Sequence, residues 1–203
     1  MNHTVKPKTK GSKQLFSNPV LERLSRTHIS IPLTLYSLIS IGFIYYGATE
    51  IGLSKSTLLI LFATGFIFFT LLEYIAHRYL FHMAPTTKAK AKIQYNMHGV
   101  HHEFPKDKDR LAMPPILFLV YLLVFFFVFK FILGDFIWGF LPGALMGYSV
   151  YLFVHFAVHA YQPPKNFLKI LWVHHAIHHY KDPERAYGVS SPLWDYIFGT
   201  MPK

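Results

Sequence analysis

Residues 57–82 read TLLILFATGFIFFTLLEYIAHRYLFH, an apolar run that ends in a pair of histidines. The apolar part, residues 57–76, has the length of about 20 residues that crosses a bilayer as one helix. His77 and His82 follow at its end, and Glu73 lies one helical turn before His77. A membrane helix that ends in imidazoles predicts a polar site at the membrane surface.

Three further apolar stretches extend this pattern along the chain, so that the four cover about residues 29–49, 57–76, 114–133 and 136–156. The connections 50–56 and 134–135 are short, whereas the segments 77–113 and 157–203 are long and polar. The predicted fold class is therefore all-α, with four transmembrane helices in two hairpins and a cytoplasmic helical cap. Residues 29–203 are expected to form one domain.

The distribution of positive charge predicts the orientation in the membrane. The formal net charge is +10, and Lys and Arg number six before residue 29, seven in 77–113 and five in 157–203. By the positive-inside rule, both termini and the middle segment face the cytoplasm. The expected location is the endoplasmic reticulum in a eukaryote or the inner membrane in a bacterium. No nucleic-acid-binding motif accompanies the charge, so no nucleic-acid partner is expected.

Residues 1–28 are predicted to form a basic tail and a short helix that lies in the membrane interface. The tail has no apolar run, so it is not a secretory signal. Asn18 offers a helix N-cap, Pro19 suits the first helical position, and Val20, Leu21 and Leu24 cluster on one side.

Gly143 and Gly147 lie four residues apart in the fourth apolar stretch. Small residues at this spacing let a second helix approach closely. Simple packing against lipid is an equally good interpretation of the pair.

Eleven of the thirteen histidines fall into four clusters, and only His3 and His28 stand apart. Two clusters repeat the pattern H-x-x-H-H, whose spacing places three imidazoles on one face of a helix. A histidine tract can reflect composition alone, but this repeated spacing argues against that interpretation. The clusters are His77 and His82; His98, His101 and His102; His155 and His159; and His174, His175, His178 and His179.

The number of imidazoles predicts two metal ions. The chain has no cysteine, which excludes thiolate ligands and disulfides. Zinc usually takes four ligands and few first-row metals exceed six, so ten or eleven imidazoles indicate two ions with about five ligands each. Imidazole suits iron, zinc, copper and nickel alike, so the ligands do not identify the metal.

Glu73 is a carboxylate inside an apolar span, where it needs a partner. One interpretation is that it fixes the tautomer of a metal-binding imidazole. The other is an ion pair with Arg78 or another basic residue near the interface. The zinc-protease motif H-E-x-x-H is not completed after His102, and neither a G-x-S-x-G nor a phosphate-binding glycine loop occurs.

Residues 73–203 resemble the fatty acid hydroxylase superfamily, and within it the fatty acid 2-hydroxylases. The H-x4-H first box favours these over the sterol oxidases. The matching positions are Glu73 to Met83, Met97 to His102, Arg110, Leu111, Pro114, Pro115, Gly143, Gly147, Tyr148, Tyr151, His155, His159, His175, His178, His179, Trp194, Asp195, Phe198, Gly199 and Thr200.

The resemblance implies a metal-ligand set and places His174 beside it as a neighbour. It also implies that the two metals are iron, with zinc as an alternative bound species, and that O2 and an external electron donor take part. No catalytic residue beyond the metal ligands is implied, and Glu73 remains the candidate for orienting them. The implied ligands are His77, His82, His98, His101, His102, His155, His159, His175, His178 and His179.

The chain departs from the family pattern at two points. Leu152 follows Tyr151 where the family commonly has an acidic residue. Many relatives also carry a fused haem-binding cytochrome b5 domain, which this sequence lacks. The resemblance therefore implies that a separate cytochrome b5-like or ferredoxin-like protein delivers the electrons.

The expected function is O2-dependent hydroxylation at carbon 2 of a fatty acyl chain, free, bound to CoA or in a ceramide-like lipid. A hydroxylase or desaturase of a sterol, carotenoid or alkane is an alternative within the enzymes. A histidine-rich metal transporter would instead need ionisable ligands along a route through the membrane. A catalytically silent protein with a structural metal pair is the remaining alternative.

Overall fold

The computed structural model describes residues 6–203, and those residues form helices and loops with no strand. The all-α fold class is therefore confirmed for this part of the chain. His3 and the first five residues of the predicted basic tail lie outside the described residues.

Nine α-helices are present in the described part, and two of them are extended or preceded by π-helical turns. The π-helical turns are Ala76–Phe81, which continues α3, and Tyr95–Gly99, which leads into α5. The α-helices are α1 (Pro19–Leu24), α2 (Ser30–Thr49), α3 (Lys55–Ile75), α4 (Lys88–Gln94), α5 (Val100–Glu103), α6 (Pro115–Leu133), α7 (Ile137–Ala160), α8 (Lys169–Tyr180) and α9 (Leu193–Ile197).

Local sequence explains where several of these helices begin and end. The Asn18 side chain accepts hydrogen bonds from the backbone N–H groups of Val20 and Leu21, and so caps α1 as predicted. Helix α7 runs four residues beyond the predicted end at residue 156, and Tyr161 then adopts an extended conformation. Pro163 restricts the residue before it to extended backbone, which prevents the helix from continuing.

Helices α3 and α7 pack backbone to backbone along their length. A Cβ atom on Gly143 would lie 2.0 Å from the Phe62 carbonyl oxygen, and one on Gly65 would lie 1.9 Å from the Phe140 carbonyl oxygen. A Cβ on Gly147 would lie 2.8 Å from the Phe69 Cβ. The glycine pair of α7 therefore serves close helix contact rather than lipid packing.

Helices α2 and α6 pack against α7 through aromatic side chains. Tyr36 of α2 is fully buried between Phe118 of α6 and Tyr148 of α7, with ring centroids 3.9 and 5.1 Å away. At the other end of α6, the ring of Phe126 contacts Trp138 at 5.6 Å. Helix α6 therefore lies antiparallel to α7.

Three helical regions are long and apolar enough to cross a membrane: Ser30–Thr49, Lys55–Phe81 and Lys108–Ala160. The third has 53 residues and includes both α6 and α7, which a short 3-10 turn at Gly134–Phe136 connects. Helix α6 buries only Phe118, and Phe131 is 92% exposed. An apolar surface of this size is typical of a protein that contacts lipid, so the chain is a membrane protein.

The short helices α4, α5, α8 and α9 cover the ends of α3 and α7 where the histidines lie. Residues 8–13 cross over this cap, since the Lys8 backbone N–H donates to the Glu103 carbonyl at 2.7 Å. The Lys8 ammonium also pairs with the Glu103 carboxylate at 2.5 Å. The N-terminal segment therefore packs on the same structure that holds the histidines.

Candidate metal centre

Ten histidine side chains meet at the end of α3 and α7, and these are the ten that the family resemblance implies as ligands. They form two groups of five, and within each group the candidate ligand nitrogens lie within 4.8 Å of one another. The first group is His77, His82, His98, His102 and His178, and the second group is His101, His155, His159, His175 and His179.

The π-helical turn after α3 positions two members of the first group. In this turn the His82 backbone N–H donates to the His77 carbonyl at 3.2 Å, five residues back. An α-helix would rotate residues five apart away from each other, whereas a π-turn brings them to one side. The H-x4-H spacing is therefore matched to the π-turn, which sequence periodicity did not predict.

The end of α7 positions two members of the second group. His155 and His159 lie one turn apart on the same face of this helix, as predicted. Their ring centroids are 4.9 Å apart. Both side chains are buried, because the cap covers the end of the helix.

Each H-x-x-H-H box contributes to both groups. From the first box, His98 and His102 belong to the first group, while His101 belongs to the second. From the second box, on α8, His178 belongs to the first group, while His175 and His179 belong to the second. The groups are therefore neighbours, and the rings of His102 and His179 stack across them with centroids 4.2 Å apart.

The distances between ring nitrogens in each group match those expected around one bound metal ion. In the first group, the His98 Nε2 lies 3.0 Å from the Nε2 atoms of both His77 and His102. In the second, the His101 Nε2 lies 2.9 and 3.0 Å from those of His155 and His179. Two nitrogens that each lie about 2.1 Å from one ion, at a right angle, are roughly 3.0 Å apart.

Burial keeps these imidazoles in the neutral form that binds metals. Burial, followed by the neighbouring imidazoles, lowers the pKa of His98, His101 and His102 well below 6.5. Burial also lowers the pKa of His82 to about 4. Each ring is therefore neutral at neutral pH, with one protonated nitrogen and one free lone pair that is able to bind a metal.

Backbone carbonyls fix the tautomer of two ligands in the first group. The His178 Nδ1 lies 2.8 Å from the Arg185 carbonyl oxygen, and the His77 Nδ1 bonds to the Tyr187 carbonyl. A carbonyl only accepts, so each Nδ1 carries the proton and donates it. The Nε2 lone pairs of both rings consequently point into the first group.

Glu73 makes no hydrogen bond to an imidazole among the described residues. Its carboxylate accepts from the backbone N–H groups of Val189 and Ser190 at 2.7 and 2.9 Å. The alternative ion pair with Arg78 is also not formed, because the Arg78 guanidinium donates to the Tyr74 hydroxyl at 2.8 Å. Glu73 therefore holds a loop.

His174 lies outside both groups, next to the ligand His175. Its Nε2 contacts the Asp195 carboxylate at 3.0 Å, and Asp195 is fully buried. The role of Asp195 was not predicted from sequence, although it stands in the quoted Trp194–Thr200 motif. His28 also lies apart from the groups, where its Nδ1 contacts the Ser30 hydroxyl at 2.8 Å.

Leu152 is 1% exposed and belongs to an apolar cluster around Tyr36 and Leu145. The Leu152 side chain is therefore buried between helices, where an apolar residue is stabilising.

A cavity of about 270 Å³ opens beside the second group. Three histidines of the second group, His159, His175 and His179, contribute to the cavity wall. Lys106 also lines the cavity, and its ammonium donates to the His159 carbonyl at 2.9 Å.

Two adjacent five-histidine groups at the end of apolar helices define a candidate dinuclear metal centre in a membrane protein. Residues 62–200 match the family described as "Fatty acid hydroxylase", and the chain belongs to this family.

Several curated proteins are similar to this chain. "Ceramide very long chain fatty acid hydroxylase scs7" of Schizosaccharomyces pombe is 37% identical over 195 residues, covering 94% of this chain and 55% of the relative. "Dihydroceramide fatty acyl 2-hydroxylase FAH2" of Arabidopsis thaliana is 34% identical, covering 74% of this chain and 64% of the relative. "Fatty acid 2-hydroxylase" of Homo sapiens is 33% identical, with coverages of 93% and 56%. The chain therefore spans between about half and two thirds of the length of these relatives.

A solved structure shares the fold. "Full length scs7p (only hydroxylase domain visible)" superposes with a TM-score of 0.87 at 32% sequence identity, covering 96% of this chain and 74% of that chain.

Proposed function

We propose that this protein is a membrane-bound, O2-dependent hydroxylase that adds a hydroxyl group to carbon 2 of a fatty acyl chain. The observation that carries the proposal is the pair of buried five-histidine groups at the end of apolar helices. Membership of the fatty acid hydroxylase family and the names of the similar 2-hydroxylases support the reaction and the position.

When bound, the two metal ions, which we propose to be iron with zinc as an alternative occupant, would supply the redox chemistry. Overall, one oxygen atom of O2 enters a C–H bond as a hydroxyl, and the other leaves as water with two electrons and two protons. The ten imidazoles of the two groups would hold the ions, and no catalytic residue besides them is proposed.

The protein's own contribution is positioning and the exclusion of water. Nine of the ten ring systems are buried, and His82 is half-buried. On the membrane side of the second group, the ring of Tyr151 stacks on His155 with ring centroids 5.5 Å apart. A dry pocket protects a reactive centre from side reactions with water.

We propose that α2, α3, α6 and α7 cross the membrane as two hairpins, with the histidines and both termini on the cytoplasmic side. The short turn between α6 and α7 and their antiparallel packing support the second hairpin. The charge distribution supports the orientation. The membrane would be the endoplasmic reticulum in a eukaryote and the inner membrane in a bacterium.

The position of the site suggests how carbon 2 is selected. An acyl chain can stay in the bilayer while its carbonyl end rises to the interface, where α3 and α7 end. Carbon 2 then lies close to the depth of the histidines. The substrate is proposed to be a free acid, an acyl-CoA or a ceramide-type lipid, and the electrons to come from a separate cytochrome b5-like or ferredoxin-like protein.

Lipid mass spectrometry tests this function. Cells that express the wild type should gain 2-hydroxy acyl chains, and a His178→Ala, His179→Ala double variant should fall to the background because each group loses a ligand. His28→Ala is the matched control, since this histidine lies outside both groups, and it should retain the activity. Equal product in the double variant, or oxygen placed on a sterol or another carbon, would overturn the proposal.

A further inference from the structure

The loop Arg185 to Ser190 presents two backbone carbonyls to the first histidine group. The Arg185 carbonyl accepts from His178 and the Tyr187 carbonyl accepts from His77. These two histidines come from α8 and from the turn after α3, so one loop orients ligands from two separate elements. We name residues 185–190 the clamp loop.

Ala186, between the two carbonyls, has an unusual backbone conformation. Its φ is +57°, and it is the only non-glycine residue with positive φ among residues 6–203. A residue with a Cβ adopts this conformation only where its surroundings hold it. Ala186 is fully buried, and its N–H donates to the Thr200 carbonyl at 3.0 Å. The turn at this residue lets both neighbouring carbonyls reach the histidines.

Two buried carboxylates hold the rest of the clamp loop. Asp195 accepts from the backbone N–H groups of Tyr187 and Gly188 at 2.9 and 2.7 Å. Glu73 accepts from the next two N–H groups, those of Val189 and Ser190, and from the Ser190 hydroxyl. Four consecutive N–H groups therefore end on two carboxylates.

The second histidine group is held differently. The Nδ1 atoms of His101, His175 and His179 are buried and have no hydrogen-bond partner among the described residues. The second group also borders the cavity, through His175, His179 and His159. The clamp loop therefore orients two histidines of the first group. In the second group the Leu111 backbone lies against His155, and three imidazoles lack an acceptor for the Nδ1 atom.

We propose that Glu73 and Asp195 are positioning residues that act through the clamp loop, so that the first group holds its metal ion more tightly than the second group does. This inference rests on the proposed dinuclear centre. Partners that orient ligating histidines typically contribute about 10- to 100-fold to metal affinity. Removing the Glu73 carboxylate should therefore lower the binding affinity of the first group for its ion by that factor and leave the affinity of the second group nearly unchanged.

Metal titration of the purified full-length protein tests the inference. The metal-free protein is titrated with Zn²⁺ against a competing chelator, which gives one affinity for each ion. In Glu73→Ala the tighter affinity should fall about 10- to 100-fold. Glu73→Gln keeps an oxygen that accepts from Val189 and Ser190, and should restore part of the loss. Glu22→Ala removes a carboxylate that pairs with Arg110 instead, and should bind both ions like the wild type.

A second comparison identifies which ion is affected and guards against simple misfolding. His175→Ala removes a ligand from the second group only, so it should retain the tight ion, whereas Glu73→Ala combined with His175→Ala should lose high-affinity binding altogether. If Glu73→Ala lowers the affinity for both ions equally, or for neither, the proposed role of the clamp loop is refuted, while the dinuclear centre stands. A wild type that binds fewer than two ions would refute the proposed centre itself.

Discussion

At the scale of single residues, the state of each imidazole depends on what lies behind it. A ligating histidine needs a free lone pair on one nitrogen and a proton on the other, and the second requirement is met by a hydrogen-bond acceptor. For His77 and His178 the acceptors are backbone carbonyls. Every residue has one, so the sequence does not show which carbonyls will accept. The histidines that come together could therefore be predicted from the sequence, whereas the groups that orient them could not.

Glu73 illustrates the same limit. Its place one turn before His77 suggested a contact with an imidazole, whereas its hydrogen bonds go to Val189 and Ser190. The loop that it holds lies more than 110 residues further along the chain, at Val189 and Ser190. Sequence spacing describes neighbours on one helix, and long-range contacts of this kind arise only when the chain has folded.

Glu22 gives a prediction about pH at this scale. Partial burial works to raise the pKa of Glu22, but the backbone N–H groups of Leu15 and Phe16 and the Arg110 guanidinium outweigh it, so the pKa lies below 4.5. Stability from this carboxylate is therefore present above pH 4.5, the ordinary value, and is lost as the pH falls through the lowered pKa. We expect backbone amides in residues 15–26 to lose protection from hydrogen exchange in that acidic range.

The control for this pH effect is Glu22→Gln. The variant cannot ionise at this position, so its residues 15–26 should be less protected at neutral pH and should show a smaller additional loss in acid. An identical pH profile in both proteins would contradict the assignment to Glu22.

At the scale of elements, the contact between α3 and α7 sets the position of the histidines, because His77 follows α3 and His155 lies in the last turns of α7. The glycine spacing in α7 left close packing and lipid contact equally open. The structure decides between them, since Gly143 lies against the backbone of Phe62. A shift of either helix would separate ligands of the two groups.

Gly143→Ala tests this packing. The added Cβ would lie 2.0 Å from the Phe62 carbonyl oxygen, so the helices must move apart. We expect a loss of roughly 1–3 kcal/mol in the free energy of unfolding, as overpacking usually costs. Gly42→Ala is the matched control, because nothing lies within 4 Å of its Cβ position in α2. Thermal unfolding in detergent should show a lower midpoint for Gly143→Ala only, and equal midpoints would contradict the close contact.

At the scale of the whole molecule, apolar length predicted the helices well. The four predicted stretches coincide with α2, α3, α6 and α7 to within a few residues at most of their ends. Apolar length alone does not set the number of membrane crossings, because α6 and α7 lie in one apolar region of 53 residues. Apolar length identifies a membrane segment, but the direction of the chain after a short turn depends on packing.

The same contrast holds for the metal centre as a whole. The sequence predicted ten ligands and two ions with about five ligands each, and the structure brings the ten together as two groups of five. How each H-x-x-H-H box divides between the groups could not be predicted, because it depends on the angle at which helices cross. The π-helical turns could not be predicted either, since a segment of five or six residues is too short to show their periodicity.

The measurement that tests the central claim most directly is the supply of ¹⁸O2 to membranes that contain the protein, followed by tandem mass spectrometry of the acyl chains. If the protein is a dinuclear oxygenase that acts at the membrane interface, the product should carry a hydroxyl on carbon 2 that contains ¹⁸O. A product whose hydroxyl carries oxygen from water, or ¹⁸O at another carbon or on another lipid, would contradict it.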